Sequence, residues 1–128
     1  MFTLRIATIQ VFFLLLFIGT QSGFASKDPI LTNSTEIESA VHTDLEQWIS
    51  SDSYLKFKEH HFPEIKGSLT VAIGVSGNGK IETIFNQDNS TNSIAFFNAF
   101  SDLLKKHTFA FKMKKGERIK IIHTFKIQ

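Results

Sequence analysis

The chain has no cysteine. Disulfide staples and thiolate metal sites are therefore excluded, and packing alone must hold the fold. Proline is nearly missing too, with only Pro29 and Pro63, so there is no stiff proline-rich spacer. No internal repeat and no low-complexity tract is present. No stretch carries H-E-x-x-H or a complete nucleotide-binding glycine loop. What remains is an aromatic-rich chain with 14 phenylalanines, a single tryptophan and a single tyrosine.

The first 25 residues read as a secretory leader. Arg5 is the only charge before Lys27, and VFFLLLFIG (residues 11–19) is an unbroken apolar run. Gly23-Phe24-Ala25 places small residues at positions −3 and −1 of a cut before Ser26. The clean run is about half of the ~20 residues that span a bilayer. An uncleaved anchor, with the apolar stretch extended over residues 2–24, is the alternative. The rest of the chain suffices for one modest core. Its charge is polarised: residues 26–64 sum to −5 and residues 101–128 to +6. Two solvated faces, or a basic surface for an anionic partner, both fit that split.

Residues 26–66 form the predicted helical arm. Asn33 or Ser34 caps a helix whose stripe is Ile37, Val41, Leu45, Trp48 and Ile49, at spacings of three and four. Residues 50–53 stop it, and residues 54–57 begin a short second helix or an extended arm. Pro63 ends either. Residues 68–76 then alternate cleanly, with Leu69, Val71, Ile73 and Val75 on one face. Gly77-Asn78-Gly79 is turn chemistry, and residues 80–85 return, so a β-hairpin is predicted. Residues 86–92 read as a polar loop. Asn92 or Ser93 caps a helix whose expected stripe is Ile94, Phe97, Phe100, Leu103 and Leu104, widened by Phe96, with Lys105, Lys106 and His107 in its last turn. Residues 109–111 are short and extended, and residues 112–118 are a basic loop. Residues 119–128 are the last strand, with Ile119, Ile121, His123, Phe125 and Ile127 on one face. A lone hairpin is marginal in water. The pieces therefore predict an α+β two-layer sandwich: a three-stranded antiparallel sheet, order 2-1-3, packed by a helix, with an extra N-terminal helix.

The order of elements in residues 67–128 resembles the C-terminal domain of the TonB family. Pro63, Gly67 and the alternating strand 69–75 match its opening, and residues 76–81 its glycine turn. Residues 95–104 match its helix of small and aromatic residues, and residues 123–127 its closing aliphatic-x-aromatic-x-aliphatic strand. Phe111 stands where the family has a Phe two residues before a Pro, but Met113 replaces that Pro. The resemblance implies a non-catalytic protein-interaction module of the Gram-negative periplasm. Such a module binds an extended segment of an outer-membrane transporter by β-augmentation. The family's long proline-rich segment has no counterpart here, so energy transduction is not implied. On this expectation the last strand is a free sheet edge. Arg118, Lys120, Ile122, Thr124 and Lys126 are its candidate partner-binding residues, the three cations steering an acidic segment. The same lysines have a second reading, as guards against aggregation, and an edge-to-edge homodimer is a further arrangement. Two other functions stay open: a membrane-anchored accessory subunit of an envelope complex, and a small periplasmic ligand-binding protein or enzyme.

Catalytic, cofactor and metal readings find little in the residues. GVSGNG (residues 74–79) fails both G-x-S-x-G and G-x-G-x-x-G and reads as the hairpin turn. His60-His61 points its two rings to opposite sides if extended. His42, His107 and His123 are scattered, with His123 expected as a satisfied core or edge histidine. Asn33-Ser-Thr35 and Asn89-Ser-Thr91 fit the glycosylation sequon but read as cap and loop residues. No aromatic platform accompanies the basic loop, so nucleic acid is not expected. No enzyme, no cofactor and no metal site is predicted.

Overall fold

The computed structural model describes residues 28–128; the leader reading of residues 1–25 lies outside the described residues. Asn33 opens helix α1 (Ser34–Trp48), its Oδ1 accepting from the N–H groups of Thr35 at 2.8 Å and Glu36 at 3.2 Å. That satisfies two of the donors every helix start leaves unpaired. Ile37, Val41, Leu45 and Trp48 are buried along one stripe, as their spacing predicts. Ser51 joins two helices. Its hydroxyl donates to the Trp48 carbonyl at 2.6 Å and accepts from Tyr54 N–H at 3.3 Å. The second bond caps helix α2 (Asp52–His61), which settles the choice between helix and arm. Helix α2 stops where Pro63 pushes Phe62 out of the α region, to φ −142°.

Strands β1 (Gly67–Ser76), β2 (Ile81–Asn89) and β3 (Arg118–Ile127) form an antiparallel sheet of order β2-β1-β3, the expected arrangement. The hairpin closes through Gly79 N–H to Ser76 O at 3.0 Å and Ser76 N–H to Lys80 O at 2.9 Å. Gly79 sits at φ +79°, and a Cβ there would lie 2.5 Å from the Phe111 carbonyl oxygen, so glycine is required twice over.

Three expectations are corrected. Residues 86–89 are strand rather than loop. β1 reaches back to Gly67, and its backbone offers these polar residues a partner: Leu69 pairs with Asn89 and Thr70 with Asp88. The stripe of helix α3 (Ile94–Leu104) is Phe96, Phe100 and Leu104, with Phe97 and Leu103 partly buried; Ile94 is 78% exposed. At 3.6 residues per turn, Ile94 lies roughly 240° around the helix from Phe100, off the buried face. Lys105 and the two residues after it lie beyond the helix, which closes at Leu104.

The three helices meet over one face of the sheet. Leu69, Val71, Ile73 and Val75 of β1 and Ile121, His123, Phe125 and Ile127 of β3 are buried on that face. Phe100 of α3 is the hub. Its ring lies 5.3 Å from Trp48 of α1, 5.8 Å from Tyr54 of α2 and 5.0 Å from Phe125 of β3. All three are edge-to-face contacts, the geometry that the ring quadrupoles favour. The extended segment after α3 is pinned beside the hairpin turn by Phe109 N–H to Gly79 O at 2.9 Å and Met113 N–H to Gly77 O at 2.7 Å. A proline at position 113 would have no N–H to give. The amino-terminal residues bond to the same segment, through Leu31 N–H to Lys112 O and Lys112 N–H to Pro29 O, both 2.8 Å.

Replacing a buried phenylalanine by alanine removes transfer energy and leaves a cavity. Phe100→Ala should therefore lose about 3–5 kcal/mol in urea unfolding. Phe85→Ala, on the open face, should change stability by no more than about 0.5 kcal/mol. Equal losses at the two positions would contradict this assignment of the core.

Candidate functional site at the outer margin of strand β3

In a strand, the N–H and C=O of each residue point to the same side, and the side alternates from one residue to the next. Ser76 N–H bonds to Lys80 O, and Ser68 O accepts from Ser90 N–H. Both bonds lie on the β2 side of β1, so the even-numbered residues of β1 face β2 and its odd-numbered residues face β3. The β1–β3 register runs without a break through ten pairs, from Gly67 with Ile127 to Ser76 with Arg118, always odd with odd and even with even. Ile119, Ile121, His123, Phe125 and Ile127 therefore spend their backbone groups on β1. Arg118, Lys120, Ile122, Thr124 and Lys126 turn theirs outward. Among the described residues, no hydrogen bond or β-bridge reaches that outward row.

The side chains alternate with the same period. The inward-bonding residues turn theirs toward the helices, buried except for the partly buried Ile119, while the outward-bonding residues place theirs on the open face, all five exposed. The five candidate residues named from the sequence thus form one row, at the margin and on the open face together. They are not equivalent. Arg118 Nε lies 2.9 Å from Glu82 Oε1 of β2, an exposed pair that holds the guanidinium over the sheet. Among the described residues, Lys120 and Lys126 make no ion pair within 4.0 Å. Thr124 Oγ1 shares a 2.8 Å hydrogen bond with Thr70 Oγ1. Ile122 is 56% exposed and aligns with Ala72 and then Phe85, itself 60% exposed, in an apolar row across the sheet.

The opposite edge is built differently. The β1–β2 register jumps twice, leaving Gln87 and Glu82 of β2 without partners opposite. Such bulges twist an edge and spoil it as a template. The β3 margin has none, so it is the continuous edge of this sheet.

Behind that margin lies a polar cluster that sequence spacing did not reveal. His42 Nδ1 of α1 lies 2.7 Å from His123 Nδ1 of β3, and Glu46 Oε1 lies 3.1 Å from His123 Nε2. The carboxylate lies close to Nε2 without a well-formed hydrogen bond, and the contact becomes an ion pair only when His123 is protonated. His42 and Glu46 are one helical turn apart, flanking the Val41–Leu45 stripe, and that spacing is the one local signal that both face the sheet. His123 is 6% exposed. Burial first, and the neighbouring His42 second, lower its pKa; Glu46 pulls the other way. A second long-range pair, His107 Nε2 to Asp44 Oδ1 at 2.7 Å, ties the segment after α3 to α1.

The remaining sequence motifs take structural places. The GVSGNG run is the end of β1 and its turn. His60 and His61 are exposed in the last turn of α2, so the extended alternative does not hold for them. Asn33 caps α1, and the Asn89 side chain accepts from Thr91 N–H at 3.0 Å ahead of α3. Among the described residues, no group of three or more His, Asp or Glu side chains is placed to hold a metal ion. No helix among them is long and apolar enough to cross a membrane. Compared with known proteins, the chain matches no family model, no curated protein and no solved structure.

A depressed histidine pKa sets the sign of a pH effect. Unfolded, His123 takes up a proton near pH ~6.5. Folded, it resists until the pH is lower. Stability from this group is complete above the unfolded value and is lost as the pH falls through and below it. The urea midpoint of the protein should therefore drop between neutral and mildly acidic pH, and His123→Gln should flatten that drop. An identical slope in the variant would remove His123 as its source.

Proposed function

We propose that this chain is an exported, non-catalytic interaction module that takes an extended segment of another protein onto the outer margin of β3. The observation that carries the reading is the unbroken row of outward N–H and C=O groups from Arg118 to Lys126. An added strand satisfies such groups with its own backbone, and side-chain pockets and charges then set which strand is taken. The helix layer supports the reading, because it packs the far face and leaves both margin and open face exposed.

The partner class comes from the TonB-like order of elements: a periplasm-facing extended segment of an outer-membrane transporter. Lys120 and Lys126 steer it if it is acidic, since exposed charges act mainly on encounter and specificity. Arg118 contributes less, being engaged by Glu82. A periplasmic location fits the leader, and no catalysis is assigned.

The test is amide hydrogen exchange with and without peptides that copy such transporter segments from the same cells. Binding at the margin should slow the amides of Lys120, Ile122, Thr124 and Lys126. Ile122→Pro removes an outward N–H and no bond to β1, and proline is tolerated on edge strands. That variant should keep its circular dichroism and lose the peptide. Undiminished binding of the peptide to Ile122→Pro by calorimetry would remove the margin as the site.

A further inference from the structure

The margin of β3 is as well placed to meet a second copy of itself as to meet a partner, and its cations decide between the two. Resting on the docking role proposed above, we infer that Lys120 and Lys126 form a charge filter: they reject a second β3 and admit an extended anionic strand. Twofold pairing of two such margins is antiparallel and brings outward-bonding residues opposite one another. Only even-numbered residues point outward, so only registers that pair even with even are available. The fullest of these sets Ile122 against Thr124 of the other copy and extends from Arg118 to Gln128. It also sets Lys120 against Lys126, and the symmetry does so twice. Shifting by one step so that Ile122 faces Ile122 sets Arg118 against Lys126, again twice. Shifting the other way sets Ile122 against Lys126, which makes Lys126 and the other copy's Lys120 diagonal neighbours, again twice. Like charges directly opposite destabilise a strand pair, and diagonal neighbours are within reach of side chains this long.

The same geometry specifies the strand that is accepted. In antiparallel register it carries a carboxylate opposite Lys126, a small polar residue opposite Thr124, an aliphatic residue opposite Ile122 and a carboxylate opposite Lys120. The aliphatic residue prolongs the apolar row of Phe85, Ala72 and Ile122. The carboxylates meet two cations that have no ion-pair partner within 4.0 Å among the described residues. Opposite charge therefore replaces repulsion at the two positions that forbid self-pairing.

The test uses one substitution and two synthetic peptides at low ionic strength. Lys120→Glu converts both Lys120–Lys126 clashes of the fullest self-register into ion pairs. It should turn a monomer into a dimer by sedimentation equilibrium, and adding Ile122→Pro should return the monomer. The peptide acetyl-Glu-Thr-Thr-Thr-Val-Thr-Glu-amide should bind the unaltered protein at least about tenfold tighter than its counterpart with Lys in place of both Glu. Lys120→Glu should erase that preference, and added salt should narrow it. If the unaltered protein dimerises as readily as Lys120→Glu, or takes both peptides equally, the filter is wrong although the margin binds strands. If neither peptide binds and Lys120→Glu stays monomeric, the docking role itself fails and the filter falls with it.

Discussion

The ladder between β1 and β3 is the constraint on which the rest of this structure depends. A strand repeats every two residues both in the face its side chains take and in the side its backbone bonds to. Ten uninterrupted pairs lock those two alternations together along β3. The residues that bond to β1 turn their side chains to the helix-covered face, Ile121, His123, Phe125 and Ile127 buried and Ile119 partly so, and every residue that bonds outward presents its side chain to solvent. One bulge in this ladder would exchange the roles from that point on. Strand β2, with two register jumps, shows what such an edge looks like.

The helices make the ladder tenable. Three strands with one bare face need cover, and α1, α2 and α3 supply it through a single aromatic cluster centred on Phe100. With no cysteine to constrain the unfolded chain, that cluster carries stabilisation that many other small domains draw from disulfides. The described amino-terminal residues are bonded to Lys112, so they do not compete for the margin. Where α1 does reach β3, through His42 and Glu46 against His123, it packs the buried face behind the edge and leaves the outward groups alone.

Much of this was legible from residue order, and the reasons are physical. Strict alternation over Leu69, Val71, Ile73 and Val75 has one half-buried solution, and Gly79 marks the turn because no other residue fits there. The five margin residues could be named from the parity of the last strand alone. What failed did so where tertiary context outweighed local pattern. The polar run at residues 86–89 joins the sheet because β1 offers it a backbone partner. Ile94 is apolar yet exposed because the buried arc of α3 is centred on Phe96 and Phe100. The His42–His123 and Asp44–His107 contacts span 81 and 63 residues, and no spacing rule reaches that far. The Arg118–Glu82 pair was likewise hidden, because it crosses β1 over residues too small to intervene.

The central claim, a free backbone margin on β3, is tested most directly by amide-resolved hydrogen exchange in the protein alone. Exchange should alternate along the strand: Ile121, His123 and Phe125 protected by their bonds to β1, with Lys120, Ile122, Thr124 and Lys126 exchanging orders of magnitude faster. Uniform protection from Arg118 to Ile127 would contradict the account, because it would mean that the margin is already covered.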